Sequence, residues 1–250
     1  MGRLDESVRE LERAVKLSEE HSEMELLGWA HGNYSTVAFF SGDAELALDH
    51  TREGVEIAER LGTWISHMVA YGLLGMALTM KGEWDDAVQA FETALEAVRA
   101  RQTGLQYSPL WLAWLSAAQL GRGNSRAAQS SAEEGVATAR TQGSKFWELA
   151  SQRALARALL RGKRPAPVQR TGQVLERAMS LVYETGAMSY EPLIQLELAE
   201  LSRVAGDESA WKRELRHAYR GFKQIGAAGH AAALESEFAE LVGPAARARR

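Results

Sequence analysis

Along this chain a glycine returns at a spacing that only a repeated unit produces: Gly2, Gly42, Gly82, Gly123, Gly162 and Gly206, at intervals of 40, 40, 41, 39 and 44 residues. A period of that length marks an array of stacked supersecondary units rather than one centred core. Four of these glycines precede an acidic or polar residue, in Gly42-Asp43, Gly82-Glu83, Gly123-Asn124 and Gly206-Asp207. Glycine just past a helix end takes the left-handed conformation that closes it. Asp or Asn beside it accepts a hydrogen bond from the first turn of the next helix. A second glycine series, Gly62, Gly104, Gly143, Gly186 and Gly226, falls about half a period later. Between the turns apolar residues recur at steps of three and four, as in Leu78, Ala87, Val88, Phe91, Ala94, Leu95 and Val98, which is helical spacing. No segment sustains strand-like alternation. Each glycine therefore reads as a tight turn between two helices, and twelve helices are expected: a lone leading helix, five hairpins and a last helix.

Small residues at fixed offsets explain how two helices of a hairpin approach. Ala47, Ala87 and Ala128 lie five positions after a turn glycine, and Ala14, Gly54, Ala94, Gly135 and Ala218 twelve positions after it. Ser35, Gly75, Ser116 and Ala199 lie seven before it, with Leu74, Phe91, Leu115 and Leu198 filling the space between. One hairpin cannot bury its apolar face alone, so neighbours must stack. The expected organisation is one repeat domain over 1–250: a half-repeat (1–22), hairpins (23–62, 63–104, 105–143, 144–186, 187–226), a capping helix (227–243) and a flexible tail (244–250). In the fourth unit Gly162-Lys-Arg-Pro-Ala-Pro-Val-Gln-Arg170 lengthens the turn by about four residues, after which Ala178 regains the small-residue position. The basic flank there (Arg161, Lys163, Arg164, Arg170) reads as an exposed, solvated turn, with phosphate binding as the alternative. The first turn glycine, Gly2, lacks a helix before it, which suggests the C-terminal piece of a longer protein.

The second unit reads Tyr71-x-x-Leu74-Gly75-x-x-Leu78-x-x-x-Gly82-x-x-x-x-Ala87-x-x-x-Phe91-x-x-Ala94, which resembles the tetratricopeptide-repeat signature almost position for position. The other units match more loosely, with a period longer than the 34 residues of the standard repeat. The resemblance implies an all-α, right-handed superhelical solenoid that binds through its concave side. The long variety resembles sensor regions of large bacterial regulators. The tail Arg213-Glu-Leu-Arg-His-Ala-Tyr-Arg-Gly-Phe-Lys-Gln-Ile-Gly226-Ala-Ala-Gly-His230 is similar to the C-terminal repeats of multidomain class III nucleotidyl cyclase/ATPase proteins, and Phe146-Trp-Glu-Leu-Ala-Ser-Gln-Arg-Ala-Leu-Ala-Arg157 to those and to MalT-like transcription activators.

Chemistry is sparse. There is no cysteine, so disulfides and thiolate-ligated metals are excluded and a cytoplasmic setting fits. A net charge of −4 gives no basic excess for nucleic acid. No apolar run is long enough to cross a bilayer. Phosphate-loop, dinucleotide and zinc-protease motifs are absent. The six histidines carry no metal-ligand spacing, although His31 and His67 could meet across neighbouring first helices. Carboxylates such as Glu10, Glu12, Glu19 and Glu20 read as solvated faces. No catalytic residue, metal site or cofactor is expected.

In repeats of this kind the first helix of each hairpin lines the inner surface. The inward positions give an apolar trough with a few polar groups: Trp29, Asn33, Thr36, Phe40, Met76, Met80, Trp114, Gln152, Arg153 and Glu197. Aromatic and Met side chains there offer adaptable apolar contact. Trp29 and Trp114 are shared between the groove reading and a packing reading, whereas Trp111 falls at a core offset. Trp84 and Trp211 open second helices and read as packing. The leading expectation is a non-catalytic protein- or peptide-binding or signal-sensing module, the regulatory part of a larger signalling protein. The alternatives are a small-effector sensor and a self-association scaffold forming a homodimer. A groove filled by the chain's own terminal helix is the bland counterpart of all three.

Overall fold

The computed structural model describes residues 4–162 and 167–242. The Gly2 turn, residues 163–166 of the long turn and the tail from Gly243 fall outside them. The described residues build helices and no strand. A leading helix α1 (Leu4–Glu20) precedes five hairpins: α2 (Met24–Ser41) with α3 (Ala44–Leu61), α4 (Trp64–Lys81) with α5 (Trp84–Arg101), α6 (Ser108–Gly121) with α7 (Ser125–Thr141), α8 (Lys145–Arg161) with α9 (Val168–Thr185), and α10 (Glu191–Val204) with α11 (Glu208–Ile225). Then come α12 (Ala228–Glu237) and α13 (Ala239–Val242). The one terminal helix expected from sequence is thus two. Phe238 leaves the helical region, at φ −130° and ψ 41°, and its ring packs edge-on to Trp211 of α11 at 5.9 Å between centroids. That contact draws the chain back over α11, where Arg216 donates a hydrogen bond to the Leu241 carbonyl.

Every described turn glycine except Gly162 has positive φ. Asp43, Asn124 and Asp207 each accept the backbone N–H three residues on, at 3.0, 3.2 and 2.9 Å. Gly162 is the exception to the expected tight turns: it is extended, at φ −66° and ψ 157°. The inserted residues after it make a longer connection, and a longer connection does not need the left-handed reversal.

The small positions are filled by neighbours' large rings. A Cβ at Gly75 would lie 2.8 Å from the Phe91 ring, and one at Gly72 would lie 2.5 Å from the Trp111 indole. Gly72 is therefore the bed of a core tryptophan. Phe91 is 0% and Trp111 1% exposed, and each such burial contributes roughly 1.5–3 kcal/mol. Ala47, Ala87, Ala94, Ala128, Ala178 and Ala218 are fully buried, where any larger side chain would push the helix axes apart. Two cores result. One is built from α2–α6 around Phe91 and Trp111. The other is built mainly from α8–α13 around Leu175, Leu193 and Phe222. Met80 and Trp114 pack against both.

The stack does not remain an open rod with a trough, as its period suggests. It curls until its end meets its beginning. A Cβ at Gly229 of α12 would lie 2.5 Å from the carbonyl oxygen of Gly42, so these two backbones touch. His230 Nε2 donates to the Phe39 carbonyl at 2.9 Å. Phe40 meets Tyr190 edge-on at 5.2 Å. Leu4 joins the same core as Phe222 and Ala231. The aromatic pair at the end of α2 and the absence of side chains at Gly42 and Gly229 make this closure sterically possible.

Candidate functional site: a cationic inner chamber

Closure leaves a chamber of about 560 Å³ inside the ring. Its walls come from α2 (Phe39), α4 (Thr79, Met80), α5 (Trp84), α6 (Trp114, Leu120), α8 and α12 (His230). The exposed Gly121, Arg161, Gly229 and Ala233 form its mouth. Trp84 lies over Gly121, where a Cβ would meet the indole at 2.3 Å. Phe39 stands edge-on to Trp114 at 4.8 Å between centroids.

One helix supplies the charge. Arg153, Arg157 and Arg161 of α8 follow one another at steps of four and line the same chamber, as residues on one helix face must. Glu197 of α10, almost fully buried, answers two of them. Its Oε1 lies 3.3 Å from Arg153 Nη2 and 3.4 Å from Arg157 Nε. Three guanidiniums thus face one carboxylate. Burial, with repulsion from Arg153 and Arg161, pushes Arg157 down to about 10 against the pull of Glu197. It stays charged at neutral pH. Arg153 Nε, Arg157 Nε and Glu197 Oε2 are buried without a hydrogen-bond partner among the described residues, an arrangement that costs free energy unless something satisfies them. Burial lowers the pKa of His230, the Phe39 carbonyl opposes this and Arg153 adds to it, which favours the neutral imidazole. Arg153 also lies 6.0 Å from the centroid of the Phe39 ring.

A second charged knot has a different character. Glu148 of α8 is buried and accepts from Arg140 Nε at 2.9 Å and from Arg177 Nη2 at 3.0 Å. Burial acts to raise its pKa, yet the hydrogen bonds of Arg177 and Arg140 prevail and lower it. Arg177 Nη1 also pairs with Glu184 at 2.8 Å, so two carboxylates answer these two guanidiniums and tie α7, α8 and α9 together.

The residues singled out from sequence divide. Met80, Trp114 and Arg153 line the chamber, with Glu197 directly behind. Phe40 closes the ring against Tyr190. Met76 and Gln152 are buried within the packing. Thr36 is half-buried away from the chamber. Asn33 is exposed and donates to the Trp29 carbonyl at 2.8 Å. Trp29, 40% exposed, borders a separate apolar cleft of about 60 Å³ with Gly28, Ile57, Ile65 and Leu73. Reading the inward register alone misses Arg157, Arg161, Trp84 and His230. The step of four from Arg153 could have found the two arginines. Nothing local could have placed Trp84 or His230. Arg161 is not merely part of a solvated turn, whereas Arg170 leaves the site to pair with Glu133 at 2.8 Å. His31 meets His50 rather than His67, Nδ1 to Nδ1 at 2.9 Å. The reason is that α2 pairs with α3 within its own hairpin, and Tyr34 stacks on His50 there. No group of three or more potential metal-ligating side chains occurs among the described residues, and no described helix is long and apolar enough to cross a membrane.

The tetratricopeptide-repeat family model matches residues 26–100, the two hairpins that contain the Tyr71–Ala94 signature. No curated protein matches the chain. The crystal structure of BtubC (BKLC) from P. vanneervenii is 17% identical over 89% of this chain and 91% of that one, with a TM-score of 0.58. A Signal Transduction ATPase with Numerous Domains (STAND) protein with a tetratricopeptide repeat sensor, from Pyrococcus horikoshii, is 15% identical with a TM-score of 0.55. That match covers 94% of this chain and 42% of the other. At such identities the likeness is one of fold. Residues 26–100 carry the repeat's own signature, the remaining hairpins carry its geometry, and the chain is a tetratricopeptide-like α-solenoid.

Proposed function

We propose that the chain is a non-catalytic sensor module, the regulatory part of a larger signalling protein, in which occupancy of the inner chamber sets how tightly the ring closes. The observation that carries this reading is the unbalanced set of arginines held inside a ring sealed by the chain's own ends. An extended peptide cannot lie through an inner face that α12 already crosses, whereas a small ligand can enter at the mouth. A ligand that binds the closed ring better than the open one shifts the population toward closure, and an attached domain can read that shift. The STAND protein, whose repeats are described as a sensor, is consistent with such a role. The test is thermal unfolding with and without a dialysable extract of cells. A ligand at a hundred times its Kd adds about 2.7 kcal/mol, which for a chain of this size raises Tm by roughly 5–10 °C. An unchanged Tm removes the sensor reading.

A second reading is favoured by one feature, the apolar cleft beside Trp29 with Leu26 exposed next to it. There a protein partner, or a second copy in a homodimer, would insert an apolar side chain. Light scattering that finds a monomer at all concentrations removes the homodimer. Partner capture that survives Trp29→Ala removes the cleft.

A further inference from the structure

We infer that the chamber's ligand is a small phosphomonoester carrying a flat ring, the chemical class of nucleoside monophosphates and aryl phosphates. This deepens the sensor reading above and rests on it. The charge count comes first. Arg153, Arg157 and Arg161 face inward against Glu197 alone, and the neutral His230 adds nothing. Two positive charges are left over. A phosphomonoester carries about −1.5 to −2 at neutral pH on three acceptor oxygens, which compensates both from a single head. A monocarboxylate leaves one guanidinium uncompensated. Arginine's planar fork suits phosphate geometry, and the buried Nε of Arg153 has no hydrogen-bond partner, whereas Arg157 Nε is held 3.4 Å from Glu197.

The rest of the wall decides what the head is attached to. Trp84, Trp114, Phe39, Met80 and Leu120 face the same space. Aromatic surface of this kind stacks a planar ring, and inorganic phosphate would leave it unused. The volume of about 560 Å³ lies within the roughly 300–1,000 Å³ typical of small-molecule pockets. It does not suit a polymer.

Isothermal calorimetry on the whole chain tests the assignment, with the common ribonucleoside 5′-monophosphates and phenyl phosphate as probes, and the matching nucleosides and inorganic phosphate as controls. The expected result is saturable binding of at least one ester, with nucleoside and inorganic phosphate each at least about tenfold weaker. Arg157→Gln should weaken that binding about 10–100-fold, the cost of one charge-assisted contact. Arg161→Gln, at the exposed mouth and so without risk to folding, should weaken it less. Three results overturn the inference: no saturable binding of any ester at millimolar concentration, inorganic phosphate binding as well as the esters, or ester binding unmoved by both substitutions. If the dialysable extract still raises Tm while the esters fail, the ligand class is wrong and the sensor reading stands. If neither acts, both fall.

Discussion

The second hairpin and the fourth solve the same packing problem with different chemistry. Between α4 and α5 the contact is apolar: Phe91 drops its ring onto Gly75, and Ala87 and Ala94 keep the axes close. Between α8 and α9 the small alanines recur, but Glu148 sits buried among Arg140 and Arg177, and the opposite face of α8 carries Arg153, Arg157 and Arg161 into the chamber. The second hairpin lies within the segment that matches the repeat family, and the fourth lies outside it. Shape complementarity alone makes a unit that stacks anywhere. Buried charge makes a unit that fits one place, because each ion must find its counterion across a particular helix pair.

Breaking the apolar side of the comparison has the largest expected effect. Phe91→Ala removes a fully buried ring, and urea unfolding should register a loss of about 3–5 kcal/mol. A smaller loss would mean that the hairpin can collapse around the void. On the charged side, Glu197→Gln leaves Arg153 and Arg157 without their counterion. Breaking a fully buried pair costs about 3–5 kcal/mol. Here the guanidiniums keep 14% and 28% of their side-chain surface, so the same assay should show about 2–3 kcal/mol. An unchanged midpoint would show that the carboxylate is dispensable to packing.

The closure can be broken apart from either hairpin. Gly229→Val drives a side chain into the Gly42 backbone. It should cost about 1–3 kcal/mol and enlarge the radius of gyration in X-ray scattering, while helix content by circular dichroism stays constant. Scattering that matches wild type would refute a closed ring. The smallest expected effect is on pH. Burial lowers the pKa values of His31, His50 and His230, and in His50 the neighbouring His31 adds to it. A histidine whose pKa is lower folded than unfolded favours the unfolded chain when it must be protonated. Its contribution is therefore whole above the ordinary value of 6.5 and drains away as pH falls from there through the folded value. The urea midpoint should decline over that interval in wild type, and by less in a His31→Phe/His50→Phe variant. Equal declines would locate the titration elsewhere.

How much of this could be read from the chain differs by residue. Phe91, Trp111 and the alanine positions were legible, because a helix face repeats every few residues and glycine marks its ends. Met80, Trp114 and Arg153 were legible as inward-facing for the same reason. Trp29 and Asn33 obey the same register yet look elsewhere, since the chamber begins only where the ring has turned far enough for other helices to face them. Glu148 resembles any surface carboxylate until its arginines are seen to arrive from other helices, and Glu197, inward by register, gives no sign in sequence of the arginines it answers.

The sequence by itself determined the unit, its length, its caps and the order in which hairpins stack, since those follow from contacts between residues near in the chain. Only the tertiary structure decided the curvature, and with it the meeting of Gly42 with Gly229 and of Phe39 with His230. Curvature accumulates from small rotations at every interface, and no single residue records the sum.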